Sequence, residues 1–323
     1  MRVLLAGATG AVGAPLTRQL IAAGHHVLGL TRTPGHLPAL RAAGATPVLA
    51  DAMDRDALLR ALDGQAADAV VHQLTALKRA PMRYRDMAGT NALRVSGTKN
   101  LLAAADLVGA SRFVTQSIIL GYGLSDHGSR VLTEADPFAV PVPGPLGAVI
   151  AALAATEQQV FAAPGIDGIS LRYGLFYGRA GIETFVELLR RRRFAVPRGG
   201  GGLACWIHVD DAAAATVAAL ERGRAGQAYN IVDREPVRFG DFADEIATSF
   251  GAPRAIRVPG WMLGVMPYAK AFITTSMRVS TAKASQELGW SPAVPTYRDG
   301  IRALAAILAP APPARGPGPE AAL

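Results

Sequence analysis

The chain of 323 residues has one cysteine, Cys205, and only four lysines, at Lys78, Lys99, Lys270 and Lys283. A single thiol excludes an internal disulfide and any cysteine-based metal cluster, so Cys205 reads as a small apolar side chain and no metal is expected. Long apolar runs are missing as well. Half of the residues are apolar, yet no run approaches the roughly 18 to 20 residues that a membrane span requires. No signal-like segment precedes the first strand pattern at residue 2, which predicts a soluble, cytoplasmic protein without a membrane partner. The formal net charge of +8 is carried almost entirely by scattered arginine. Its one dense cluster, Arg190 to Arg193, follows a helical pattern over 183–189. Cations at a helix C-terminus are favoured by the dipole, and no aromatic residues interleave them, so nucleic acid is not an expected partner.

Glycine, by contrast, is well placed at the start. An apolar run, Val3 to Ala6, leads into Gly7-Ala8-Thr9-Gly10-Ala11-Val12-Gly13 and then an amphipathic segment. Three missing Cβ atoms let the turn be tight, let backbone approach a pyrophosphate and let the next helix pack closely on the strand. A helix N-terminus adds free N–H groups and a positive dipole. Gly7, Thr9, Gly10, Ala11, Val12 and Gly13 are therefore the expected dinucleotide loop. The G-x-x-G-x-x-G spacing departs from the G-x-G-x-x-G fingerprint, and alone it would also serve an ordinary strand-to-helix turn.

The rest of the first half supplies the context. Strand patterns fall at 2–6, 26–31, 46–50, 68–73, 112–117 and 168–173, and helical patterns at 11–23, 36–43, 54–62, 84–106 and 146–163. This alternation predicts an α/β protein with a doubly wound parallel sheet. Residues 1–175 are expected to form the nucleotide-binding domain, with some later segments returning to it, and 176–308 mainly a smaller C-terminal substrate-binding region. In that second region a strand is expected near 204–209 and helices near 182–192, 210–222, 239–250, 281–288 and 297–308. The Pro-, Ala- and Gly-rich stretch 309–323 reads as a disordered tail.

At the end of the second strand stands Gly29-Leu30-Thr31-Arg32, where an NAD site would carry a carboxylate for the ribose hydroxyl. Arg32 can pair with a 2′-phosphate and Thr31 can hydrogen-bond it, so NADP(H) is the preferred cofactor, with NAD(H) left open. Asp51 and Ala52 are placed to meet the adenine; Asp51 could equally cap the helix that follows.

These pieces resemble an extended short-chain dehydrogenase/reductase of the NAD-dependent epimerase/dehydratase family over residues 1 to about 305. The matching segments are Gly7 to Gly13, Asp68 to His72, Asn91 with Gly97 to Asn100, Arg112 to Ser117, Leu171 to Gly178, Trp206 to Asp211 and Ala282 to Pro292. The resemblance implies a Rossmann-type sheet, a small-molecule substrate, cofactor contacts at Gln73, Leu74, Thr75 and Asn91, and a homodimer built on the almost wholly apolar helix 146–163.

It also implies a Ser or Thr, a Tyr and a Lys four residues later as the proton-handling groups. Glu157 fits the family position eight residues after the Tyr, which places Val149 and Leu153 at the Tyr and Lys positions, and Tyr122-Gly123 places Ile118 at the Ser position. No Tyr-x-x-x-Lys occurs anywhere in the chain. Substitute proton donors would come from Tyr122, His127 or Ser117, while Tyr177 and His208 are expected to be structural. The chain is expected to be an enzyme, and three readings follow. One is an NADPH-dependent reductase of a small, fairly apolar molecule with a non-standard proton donor; another is a non-redox isomerase, cyclase or lyase that retains a structural nucleotide; the last is a nucleotide-sensing protein without turnover.

Overall fold

Val3, Leu4, Leu5 and Ala6 have no exposed surface, and so short an apolar run is stable only as an interior strand covered on both faces. In the computed structural model, which describes residues 1–77 and 80–308, that strand is β1, Arg2–Ala6. It is flanked by β2 (His26–Thr31) and β3 (Thr46–Leu49) on one side. On the other lie β4 (Ala69–His72), β5 (Arg112–Ile118), β6 (Asp167–Tyr173) and β7 (Gln227–Ile231). The order β7-β6-β5-β4-β1-β2-β3 is parallel throughout. This is the expected Rossmann-type sheet, with its order reversing between β1 and β4.

Two apolar layers cover it. One face holds Leu5, Leu16, Leu20, Leu171 and Tyr229 together with the helix Val209–Arg222. The other buries Leu4, Leu58, Leu101 and Phe113 beneath the helices Arg55–Leu62 and Thr98–Val108. A third core lies past the strand ends. There Trp206 stacks on Phe242 with ring centroids 3.6 Å apart, joined by Ile182, Tyr297 and Ile301.

The structure departs from the sequence expectations in several places. The helix expected over 84–106 is divided into a 3-10 turn at Tyr84–Met87, a short helix at Ala88–Ala92, a π turn at Leu93–Gly97 and the helix Thr98–Val108. The strand expected at 204–209 is reduced to Leu203–Ala204 and Trp206–His208, because its first part turns away to pair with Val237–Arg238. Strand β7 and the helix Pro267–Thr274 were not expected at all. The expected tail at 309–323 lies outside the described residues. No described helix is long and apolar enough to cross a membrane.

Candidate functional site

The loop after β1 is built on contacts that exclude side chains. Gly7 has φ +94°, and a Cβ there would lie 2.7 Å from the carbonyl oxygen of Gln73. A Cβ on Gly13 would lie 1.9 Å from the carbonyl oxygen of Gly7. Gly10 N–H donates to that same oxygen at 2.9 Å. The helix Gly13–Ala22 has no side-chain cap and no acidic residue in its first turn, which leaves its N–H groups and dipole to an anion. Thr9 and Ala11 are exposed beside it, whereas Val12 is buried in the core; Val12 can offer a ligand only its backbone.

On the adenosine side, Arg32 is exposed and its Nη1 lies 3.5 Å from Asp51 Oδ2. Thr31 is buried, and its hydroxyl accepts from Thr33 N–H at 3.2 Å. The helix Arg55–Leu62 is capped by Asp54, which accepts from Ala57 N–H at 3.0 Å, so Asp51 is not its cap. Ala52 is buried and its carbonyl accepts from Asn100 Nδ2 at 2.8 Å.

At the end of β4 the polar groups are turned inward. Gln73 Nε2 donates to the Tyr173 hydroxyl at 3.0 Å, and that hydroxyl meets Thr216 Oγ1 at 2.6 Å; burial raises the Tyr173 phenol. Leu74 N–H donates to His72 Nδ1 at 3.1 Å, and burial pushes the His72 imidazole down to about 4. Thr75 Oγ1 meets Thr90 Oγ1 at 3.3 Å, and Asn91 Oδ1 accepts from Arg94 Nη1 at 3.5 Å. Gln73, Thr75 and Asn91 thus have local protein partners, while the backbone of Gln73 and Leu74 borders the glycine loop.

The three positions expected for proton transfer are all apolar and fall into two clusters, both of which Leu146 packs against. Val149 and Leu153 lie on the helix Pro145–Ala162 and are buried. Ile118, at the end of β5, packs against the cluster of Leu153, Ile150 and Ala139, and Val149 packs with Met87 and Tyr268. A narrow apolar recess of about 20 Å³ is lined by Ile119, Leu120, Cys205, Phe272 and Met277.

Tyr122, expected as a substitute proton donor, is held inside the fold. It closes the 3-10 turn Ile119–Tyr122 and is 7 % exposed. Its hydroxyl donates to Asn230 Oδ1 at 2.8 Å and accepts from Arg172 Nη1 at 3.1 Å. Burial raises its pKa, against the pull of Arg172. With donor and acceptor both engaged inside the fold, this phenol is a structural bridge. Ser117 is fully buried, and His127 is half-buried with Nε2 3.5 Å from the Gly123 carbonyl oxygen. Tyr177 is buried with its ring edge-on to His208, whose Nδ1 accepts from Asp210 N–H at 3.3 Å to cap the next helix.

Sequence reasoning missed Arg172, Arg94 and Tyr268. The first carried a readable signal: Glu157 in an apolar helix and Arg172 in an apolar strand are isolated opposite charges, and they pair at 2.8 Å. Among the described residues no cluster of His, Cys, Asp and Glu could hold a metal ion.

The sequence profile of the NAD dependent epimerase/dehydratase family matches residues 3–232. The chain is 36% identical over 320 residues to 3-diazoavenalumate denitrifying reductase of Streptomyces sp, covering 93% of this chain and 99% of that one. It is 28% identical over 333 residues to 4-hydroxy-2-methyl-3-oxo-4-farnesyl-3,4-dihydroquinoline-1-oxide ketoreductase of Stigmatella aurantiaca, covering 94% and 96%. Among solved structures, dTDP-glucose 4,6-dehydratase DesIV of Streptomyces venezuelae with NAD and TYD bound superposes with a TM-score of 0.76 at 25% identity, covering 95% and 96%.

Proposed function

The chain belongs to the NAD-dependent epimerase/dehydratase family, and from that premise we propose that it is an NADPH-dependent reductase whose substrate accepts hydride at a carbon that needs no proton donor on an attached oxygen. The observation that carries this reading is that Ile118, Val149 and Leu153 are all aliphatic and packed in apolar clusters, with no proton-donating side chain among them. Reduction of a ketone requires a proton at the developing alkoxide, and aliphatic side chains offer neither a proton nor a charge to steady the oxyanion. The name of the Streptomyces relative, a denitrifying reductase of a diazo compound, supports an acceptor of another kind.

The loop at Gly7, Gly10 and Gly13 fits a dinucleotide, because added Cβ atoms would fill the space its backbone needs. When bound, the reduced nicotinamide supplies a hydride; at a diazonium carbon the new C–H bond replaces the C–N bond, whose electron pair leaves with dinitrogen. The chain's own part is to hold the pyrophosphate on the uncapped helix Gly13–Ala22, to bind the 2′-phosphate through Arg32, and to keep water from the reactive carbon with Ile118, Val149 and Leu153. Arg32 supports NADP(H) because its guanidinium is exposed at the end of β2. The exposed Ala148, Ala151 and Gln158 of the helix Pro145–Ala162 offer the surface for a homodimer.

Incubation with stereospecifically deuterated NADPH and substituted arenediazonium acids tests the reading. One deuterium in the arene for each NADP⁺ and each dinitrogen formed is the expected result. Turnover without label in the product would assign the nucleotide a structural or returning role, as in an isomerase. No turnover of diazonium, ketone or quinone substrates would leave a binding protein and overturn the proposal.

A further inference from the structure

Burying a guanidinium without an anion opposes folding unless a partner arrives later. Two arginines are buried among the described residues, Arg94 and Arg172, each 6 % exposed. Arg172 makes a two-pronged ion pair with Glu157. Arg94 has no carboxylate within ion-pair distance among the described residues, and its one side-chain hydrogen bond is the long one to Asn91 Oδ1 at 3.5 Å. Burial pulls its pKa down to about 10.

Its surroundings fix where this charge lies. Arg94 belongs to the π turn Leu93–Gly97, and an irregularity of that kind redirects side chains and recurs at functional sites. The Arg94 carbonyl accepts from Thr156 Oγ1 at 3.0 Å, on the same helix as Leu153 and three residues beyond it. The guanidinium interacts electrostatically with His72, at the end of β4, and with Tyr268. Tyr268 packs on Val149 and Met87, and its ring meets Tyr84 edge-on at 5.3 Å. The buried cation therefore lies within electrostatic reach of His72 and of Tyr268, whose ring packs on Val149, at the carboxyl edge of the sheet where open α/β folds place their ligands.

We propose that Arg94 is the anion-binding residue of the substrate pocket, taking the carboxylate of an aromatic substrate whose ring lies against Tyr84, Tyr268 and Val149. The proposal rests on the reductase reading above and names the substrate class for that site. A guanidinium matches a planar oxyanion in a fork, and a site already stripped of water makes that pair stronger than a surface one. The charge desolvated on folding is then matched on binding, so an anionic substrate is favoured over its neutral analogue.

The test uses protein saturated with NADP⁺, so that no turnover occurs, and titrates 4-hydroxycinnamate and its methyl ester by calorimetry. Wild type is expected to bind the acid more tightly than the ester. Arg94→Met should weaken the acid by about tenfold or more and leave the ester within about threefold, as loss of a charge-assisted hydrogen bond predicts. Arg94→Lys, which keeps the charge and loses the fork, should fall between. Affinity for NADP⁺ should not change. The melting temperature of Arg94→Met should hold or rise, because an unmatched buried charge has been removed. Equal binding of acid and ester, a preference for the acid that survives in Arg94→Met, or no binding of either at millimolar concentration would overturn the proposal. Because no hydride moves in these titrations, the binding result and the deuterium result can fail separately.

Discussion

Arg172 grips Glu157 through two nitrogens, Nε at 3.0 Å from Oε1 and Nη2 at 2.8 Å from Oε2, and both side chains are buried. Burial alone would disfavour the Arg172 cation, but its hydrogen bonds to Glu157 and the Coulomb attraction hold its pKa above the ordinary value. The same carboxylate accepts from Ser170 Oγ at 2.8 Å, so the pair ties the helix Pro145–Ala162 to β6. Removing one partner leaves the other as an uncompensated buried charge. Arg172→Met is therefore expected to lose roughly 3–5 kcal/mol of stability in denaturant titration. A loss below about 1 kcal/mol would mean that water reaches Glu157 and rescues it.

Tyr122 extends this network by its bonds to Arg172 and Asn230, and its role can be separated from catalysis. Tyr122→Phe strands the Asn230 Oδ1 acceptor and should cost about 1–3 kcal/mol of stability. The pH profile of turnover should keep its shape. A tenfold or larger fall in kcat with unchanged melting would return Tyr122 to the role of proton donor.

The glycine loop was legible in the sequence because the contact that demands glycine is local: Gly13 meets Gly7, only six residues away. Strands β1 to β6 were legible for a related reason, since each is a short apolar run whose neighbours in the chain are helices. Strand β7 hid because Gln227-Ala228-Tyr229-Asn230-Ile231 mixes polar with apolar residues, and the fully buried Asn230 finds its partners, Tyr122 and Glu134, about a hundred positions earlier. Arg94 hid for the opposite reason. In Asn91-Ala-Leu-Arg-Val-Ser-Gly97 a lone cation reads as the solvated side of a helix, and the π turn and the helix Pro145–Ala162 that packs on it, some sixty positions later, are not visible in that local pattern.

Gly13→Ala follows from the 1.9 Å approach of a Cβ to the Gly7 oxygen. No rotation relieves a clash between two backbones, so the loop must open. The variant is expected to lose NADPH binding in calorimetry and to melt at a lower temperature. Gly181→Ala, in a helix with no neighbouring atom within 4 Å of the added Cβ, serves as the control and should be neutral or slightly stabilising. Nucleotide binding that survives in Gly13→Ala would remove the loop from the site.

Arg32 and Asp51 stand 3.5 Å apart at the adenosine end. A 2′-phosphate would compete with Asp51 for the guanidinium, so the two side chains are expected to shift cofactor choice in opposite directions. Arg32→Asp should lower the NADPH-to-NADH affinity ratio by about tenfold or more, the worth of a charge-assisted pair. Asp51→Asn should raise it. An unchanged ratio in both variants would withdraw the preference for NADP(H).

Asp233 gives the stability of the fold a pH dependence whose sign can be worked out. Burial pushes its carboxyl up to about 8, with help from Glu235 and Asp211 and against a backbone hydrogen bond at Glu235. In the unfolded chain the same group ionises near its ordinary value of about 3.9. Between about pH 4 and about pH 8 the folded protein thus keeps a proton that the unfolded chain has released, and stability falls as pH rises through that window, levelling above it. His72 acts in the other direction. With its folded pKa near 4, it removes stability as pH drops below about 6.5, because the unfolded imidazole then takes up a proton that the buried one refuses. Comparing Asp233→Asn with wild type cancels the His72 contribution. The advantage of the variant is expected to grow by more than about 1.4 kcal/mol between about pH 5 and about pH 8, the equivalent of at least one pKa unit. A stability difference that stays flat across this range would mean that Asp233 is ionised in the folded protein and that a cation or water has reached it.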